Sequence, residues 1–177
     1  MVRAVIVKAR NFAWHQHYGQ FRKYMKNVPY FVHPERVAIA VQKDRVTTEE
    51  MVAAAYVHDT LEDTKTTYDD ILRWFGDTVA EYVLGLTSYS KQISLAGYRA
   101  ARKKADLEYL SKQKKEVHYI KLEDRWDNLN DIEFCPDQSF IDLYCRESRD
   151  LIGDVNKGRA DQILELCGQL EKMRDGI

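Results

Sequence analysis

Apolar residues recur along this chain at three- and four-residue intervals, the spacing of one helix face. Nowhere do they alternate convincingly in the period-two manner of a strand. In the opening stretch AVIVKARNFAWHQHYG, Val5, Ala9, Phe12 and Ala13 share a face, and Gly19 is a natural stop. FRKYMKNVPYFVHP reads as a loop, because Asn27 and Pro29 interrupt helix, while Pro34 suits the first turn of the next one. PERVAIAVQK and TTEEMVAAAYVHD both read as helices, the second capped by Thr47 or Thr48 with glutamates in its first turn. TTYDDILRWFG repeats that grammar, with Thr67 ahead of two aspartates and Gly76 as terminator. DTVAEYVLGLTS follows, then a long basic helix around YRAARKKADLEYLSKQKK, then EVHYIKLEDRWDNLNDI, and a last pair of helical segments from about Ser139 to Met173. The expectation is an all-α fold without repeat, low-complexity tract or linker.

Composition narrows the class. A chain of 177 residues, 45% hydrophobic and 31% charged, can bury one sizeable core and does not read as a membrane protein. With 27 basic and 28 acidic residues the formal charge is −1, so no global field draws it to nucleic acid or anionic lipid, and any anion site must be local. The three cysteines, Cys135, Cys145 and Cys167, form no C-x-x-C pair, which argues against a disulfide framework and points to a reducing, cytoplasmic setting. The apolar run near the start, AVIV, is far short of a signal-peptide core, and no apolar run is long enough for a membrane span.

Candidate chemistry centres on HDTLED. Read as a helix running into a loop, it places His58 and Glu62 four apart, and Asp59 and Asp63 likewise, so four polar groups converge at one helix end. Desolvating that many carboxylates without a cation is costly, and a divalent metal is the natural partner; the alternative is a solvated acidic helix end. His33 in YFVHPERV, and Asp124 with Asn128 in KLEDRWDNL, weigh against the second reading. Two imidazoles and two carboxylates, His33, His58, Asp59 and Asp124, make a mixed N/O set suited to Mn²⁺ or Fe²⁺, with Zn²⁺ less favoured.

Other residues are assigned structural roles. His15 and His17, two apart on a helix, point roughly 200° from one another and cannot share a metal. His118 is off the face of Asp124. Arg99, Arg102, Lys103, Lys104, Lys112, Lys114 and Lys115 read as a solvated face, with a rim attracting an anionic nucleotide as the alternative. Trp14, Trp74 and Trp126 are expected in the core, and Lys121 is expected in a surface ion pair or against phosphate.

The ordered motifs HYGQFRK, PYFVHP, HDTLEDT, FGDTVAEYVLGLT and KLEDRWDNL resemble the hydrolase domain of the RelA/SpoT alarmone family, a branch of the HD-domain phosphohydrolases. The likeness is strongest to stand-alone small alarmone hydrolases of the metazoan SpoT-homologue type. It runs from about Ala9 to Ile132 and continues more weakly beyond. It implies a compact all-α HD domain over residues 1–177, in which Mn²⁺ is held by His33, His58, Asp59 and Asp124. Glu62 and Asp63 are then similar to the family's catalytic acids, Arg22 and Lys23 lie near the nucleotide and its phosphates, Asn128 lies near the ribose, and Tyr144 contacts substrate. The implied reaction is hydrolysis of the 3′-pyrophosphate of (p)ppGpp to GDP or GTP and pyrophosphate. The implied partner is a small guanine nucleotide, with no nucleic acid or membrane, and self-association is left open. The chain departs from the family at Glu123, Asp127 and Phe140, which are expected to make the pocket more acidic and weaken its grip on phosphate. A different nucleotide (NADPH, pppApp or a dNTP) and a non-enzymatic nucleotide sensor are therefore kept as alternatives.

Overall fold

In the computed structural model, which describes residues 4–93, 95–153 and 156–172, the periodicity resolves into helices with no named strand among those residues. In chain order they are α1 (Ala4–Gln16), α2 (Val32–Lys43), α3 (Glu49–Val57), α4 (Thr60–Asp63), α5 (Tyr68–Phe75), α6 (Asp77–Leu86), α7 (Tyr89–Gln92), α8 (Arg99–Leu110), α9 (Lys115–Ile132), α10 (Gln138–Asp150) and α11 (Lys157–Lys172). Local chemistry sets several ends. Thr48 caps α3 by accepting from the Met51 N–H, and Thr67 and Asp70 form a reciprocal capping box on α5. Gly76, at φ 82°, lets the chain turn from α5 into α6. The expected long basic helix is shorter than its composition suggests. It stops at Leu110, where the Ser111 hydroxyl turns back onto the Glu108 carbonyl at 2.9 Å and the Gln113 N–H bonds the Leu110 carbonyl at 2.8 Å.

Every residue from Met51 to Val57 is buried, so α3 is the central helix, enclosed by α1, α2 and α6. Its three alanines, Ala53 to Ala55, let those neighbours approach closely. α9 packs on α2 and α6 with Val117 and Ile120 in that first core. Leu122, Leu129 and Ile132 of α9 join Ile141, Cys145, Ile163, Cys167 and Leu170 in a second core with α10 and α11. One helix therefore carries both cores, and its polar positions face the seam between them.

Two tryptophans lie outside the expected core. Trp14 and Trp74 are 45% and 49% exposed, packed edgewise on Phe31 and tilted against Phe12, because α1 and α5 lie at the rim of the bundle. Glu123 also departs from expectation: it does not acidify a pocket. Its buried carboxylate accepts from Asn156 Nδ2 at 3.0 Å and Arg159 Nε at 2.8 Å, and so ties α9 to α11.

Arg159→Ala is expected to destabilise the protein by about 3 to 5 kcal/mol, since it leaves a buried carboxylate without its cation. The double change Glu123→Leu with Arg159→Met should recover most of that loss. Chemical denaturation checks both; a single change costing under about 1 kcal/mol contradicts the role of the pair.

Candidate active site

The chain break inside HDTLED shapes the site. α3 ends at Val57, His58 is its C-cap, and Asp59 (φ −91°, ψ −5°) starts the one-turn helix α4. The break falls between His58 and Glu62, so these two do not stack along one continuous helix, whereas Asp59 and Asp63 stay one turn apart on α4, with the Asp63 N–H on the Asp59 carbonyl at 2.9 Å. His58 and Asp59 turn inward toward α2 and α9, while Glu62 turns toward the segment before α7.

His33, at the start of α2, and His58 present their Nε2 atoms to the same two carboxylates. His33 Nε2 is 3.4 Å from Asp59 Oδ2 and 3.2 Å from Asp124 Oδ1, and His58 Nε2 is 3.0 Å and 3.7 Å from the same atoms. The ligand atoms of His33, His58 and Asp124 lie within 4.8 Å of one another, with all three residues buried. Both imidazoles are oriented by their other nitrogen. His58 Nδ1 meets the Ala55 carbonyl at 2.8 Å, and His33 Nδ1 meets Asp127 Oδ2 at 2.6 Å. That arrangement leaves Nε2 as the inward nitrogen on each ring. His58 Nε2 is buried without a hydrogen-bond partner, since its 3.0 Å approach to Asp59 lacks hydrogen-bond alignment. An orphaned imidazole nitrogen facing two carboxylates and a second imidazole is a donor set that fits a divalent cation.

The electrostatics of the ion-free cluster agree. Burial favours a neutral His33 ring, but hydrogen bonds to Asp124, Asp127 and Asp59 outweigh it and raise the pKa to about 9. Burial likewise opposes the charges of Asp59 and Asp124, yet His58 beside Asp59 and Lys121 beside Asp124 are foremost in holding both well below the usual carboxylate range. Lys121 is in an ion pair, as one of its two expected roles has it, but with a buried partner: its Nζ donates to Asp124 Oδ2 at 2.8 Å, while Asn128 Nδ2 donates to Asp124 Oδ1 at 2.6 Å. Asp127 does not acidify the substrate cleft either. It is held by His33 and by Arg36, whose Nε lies 2.6 Å from Oδ1.

The remaining sequence candidates fall into two groups. Glu62 is engaged by the Ser88 N–H and by Lys91 Nζ, and Asp63 Oδ1 is 3.5 Å from the same ammonium. Arg22, Lys23, Asn128 and Tyr144 line one cleft of about 250 Å³ together with Tyr24 and Phe140. Arg22 is not free within it: Nε donates to Asp131 at 2.7 Å and a terminal nitrogen to Asn128 Oδ1 at 2.8 Å. Lys23 is less committed, its Nζ poised over the Tyr24 and Phe140 rings.

A family model described as an HD domain matches residues 9–151. The chain belongs to the HD-domain family. Curated relatives include the guanosine-3′,5′-bis(diphosphate) 3′-pyrophosphohydrolase MESH1 of Danio rerio, 32% identical over 156 residues that cover 88% of this chain and 84% of that protein. The human MESH1 is 30% identical with the same coverage. The fold superposes with a TM-score of 0.81 on a metazoan SpoT orthologue described as hydrolysing ppGpp and acting in starvation responses, at 24% identity over 94% of this chain and 95% of that one. This HD domain is thus a member of a hydrolase family, and its likeness is to the MESH1 type.

Within the HD domain, residues beyond the sequence candidates also reach the site. Tyr30 donates from its hydroxyl to Asp59 Oδ2 at 2.5 Å and lies 3.2 Å from Asp63 Oδ2. Burial and the adjacent Asp59 push its phenol pKa up, so it remains a donor. The His17 ring packs on Tyr30 at 4.7 Å with Nδ1 on Gln20 at 2.7 Å, and its buried Nε2 has no hydrogen-bond partner. Tyr30 was visible as part of PYFVHP, whereas Lys91 had no signal, since it stands alone in TSYSKQIS with no motif around it.

The raised His33 value gives a pH test. A raised pKa stabilises the ion-free fold fully below the unfolded value of about 6.5, and that stabilisation is lost as pH rises through about 9. The ion-free protein should therefore lose thermal stability between these limits. Adding a divalent ion should reverse the loss and release protons, because imidazole must be neutral to ligate. An unchanged midpoint across that window, with and without the ion, contradicts the cluster's role.

Proposed function

We propose that this chain hydrolyses the 3′-pyrophosphate of guanosine 3′,5′-bis(diphosphate), and of the pentaphosphate, to GDP or GTP and pyrophosphate. The observation that carries the reading is the N/O cluster of His33, His58 and Asp124, with Asp59 against both imidazoles, beside a cleft lined by Arg22, Asn128 and Tyr144, in a chain whose MESH1 relatives bear that activity in their names. We assign His33, His58, Asp59 and Asp124 as ligands of Mn²⁺, with Fe²⁺ and Zn²⁺ as alternatives, since two nitrogens and two oxygens suit a borderline, water-retaining ion. When bound, such an ion polarises a phosphoryl oxygen and acidifies water.

The chain's own residues then divide the remaining work. Glu62 and Asp63 order the attacking water and accept its proton, with Asp63 Oδ2 the more open of the two carboxylates. Lys91 contacts both and offsets charge as the proton moves. Tyr30 keeps Asp59 and Asp63 in register through one hydroxyl. Arg22 fixes Asn128, and Asn128 in turn fixes Asp124, so the nucleoside cleft and the ligand set are mechanically joined.

We take residues 1–177 as one functional unit, because α9 supplies both cores and the site. The cytoplasm is the setting we infer, given three unpaired, buried cysteines and no described helix long and apolar enough to cross a membrane.

Metal-loaded protein is expected to convert ppGpp to GDP and intact pyrophosphate, seen by phosphorus NMR, in preference to pppApp, NADPH and deoxynucleotides. Inert ppGpp beside a turned-over alternative refutes the substrate and leaves the HD chemistry. Asp59→Ala should abolish metal content and activity together. Glu62→Gln should keep the metal but lose roughly 100-fold in kcat, and metal loss in that variant would instead make Glu62 a ligand.

A further inference from the structure

A second and larger chamber, of about 380 Å³, opens on the other side of α9 between α6, α7, α8 and α10. Its walls include Lys103, Lys121 and Arg125. Arg125 is only 7% exposed, yet among the described residues its guanidinium has no carboxylate partner. It stacks on the Tyr144 ring at 4.2 Å and makes one long contact, 3.5 Å, to Ser148 Oγ. A buried guanidinium without a counter-charge is costly unless an anion arrives to meet it. Lys103 reaches a carboxylate only at 3.8 Å, to Asp106. Burial, with Arg125 and Lys121 nearby, pulls its pKa below the ordinary lysine value. Glu147, also on the wall, is already taken by both nitrogens of the Arg99 fork at 2.8 Å.

The chamber joins the active site at three points. Lys121 spends one of its three donors on Asp124 and has two left. Ser88 lines the chamber and gives its N–H to Glu62. Tyr144 forms the partition, one side in the cleft of Arg22 and Asn128, the other against Arg125. Asp124 therefore lies between two compartments, touched from one by Asn128 and from the other by Lys121.

We propose that this chamber is a diphosphate-binding site, with Lys103, Lys121 and Arg125 as its donors, holding the 3′-diphosphate group while the cleft on the other side of Tyr144 holds the nucleoside. The inference rests on the proposed reaction only for which bond is cut. In that reaction the water oxygen bonds to the inner phosphorus, the bond from that phosphorus to the ribose 3′-oxygen breaks, the 3′-oxygen gains a proton and the water loses one. The product left among the three cations is pyrophosphate, and the nucleotide leaves from the cleft.

The probe is inorganic pyrophosphate, titrated calorimetrically into the full chain with Mg²⁺ in excess over pyrophosphate, beside parallel titrations with GDP. Lys103→Ala, at a half-exposed position, and Arg125→Lys should each weaken pyrophosphate binding by about tenfold or more while leaving GDP within about twofold. Lys23→Ala, in the cleft on the other side of Tyr144, should do the reverse. Unchanged pyrophosphate affinity in both chamber variants overturns the proposal, and so does a loss of GDP affinity equal to the loss for pyrophosphate. A protein that leaves ppGpp intact but binds pyrophosphate through Lys103 and Arg125 upholds the chamber and removes the alarmone reading instead.

Discussion

Three carboxylates on one stripe of α9, Asp124, Asp127 and Asp131, are each less than a tenth exposed, and the architecture of the site follows from how their charge is met. Three like charges at i, i+3 and i+7 on a desolvated face repel strongly unless each finds a cation or strong donor. Asp124 has Lys121 and Asn128, Asp127 has His33 and Arg36, and Asp131 has Arg22 and Arg36. These partners come from the loop before α2, from α2 itself and from α9. Satisfying the stripe therefore fixes where those elements stand. His33 is positioned as a by-product, since the ring that neutralises Asp127 with Nδ1 must point Nε2 at Asp59 and Asp124.

That coupling makes the polar seam and the apolar cores interdependent. α9 cannot rotate without withdrawing Val117 and Ile120 from one core and Leu129 from the other. The cores thus set the rotation of the stripe to within the tolerance of close packing, and the stripe sets the ligand geometry. Glu123, on another side of the same helix, anchors α11 through Arg159 and so resists the same rotation from outside.

Most of this was legible where the sequence carries a period or a motif. Helical spacing located the elements, Thr48, Thr67 and Gly76 marked their ends, and the motif order brought His33, His58, Asp59 and Asp124 under consideration although they are far apart in the chain. The failures share one physical cause: an isolated charged residue does not announce its partner. Lys121, Glu123 and Asp127 look alike as polar positions on α9, and only the packing of α2 and α11 distinguishes a ligand's counter-ion, a helix tether and an imidazole orienter. The break between His58 and Asp59 was similarly hidden, because HDTLED contains no glycine or proline and the chain is turned there by side-chain bonds, such as Thr60 Oγ1 to the Val57 carbonyl at 2.7 Å. Lys91 could not be found from its neighbours at all, since its contact with Glu62 depends on where α7 folds back.

The same accounting says where an anionic ligand can find charge. With a formal net charge of −1 there is no long-range field to rely on, so attraction has to come from cations near the cleft. Arg22, which the resemblance puts near the phosphates, and its neighbour Arg36 are committed to the α9 stripe, and withdrawing either would expose a buried aspartate to its neighbours' repulsion. A phosphate that displaced Arg22 from Asp131 would gain one charge-assisted contact and lose another of similar worth, leaving little net attraction. Cations held only by aromatic faces or long contacts have no such cost. Lys23 over Tyr24 and Phe140, and Arg125 over Tyr144, can meet phosphate without surrendering an ion pair to a described carboxylate. Phe140 thus need not weaken the grip on phosphate: by holding the Lys23 ammonium over its ring it keeps that charge at the cleft and uncommitted.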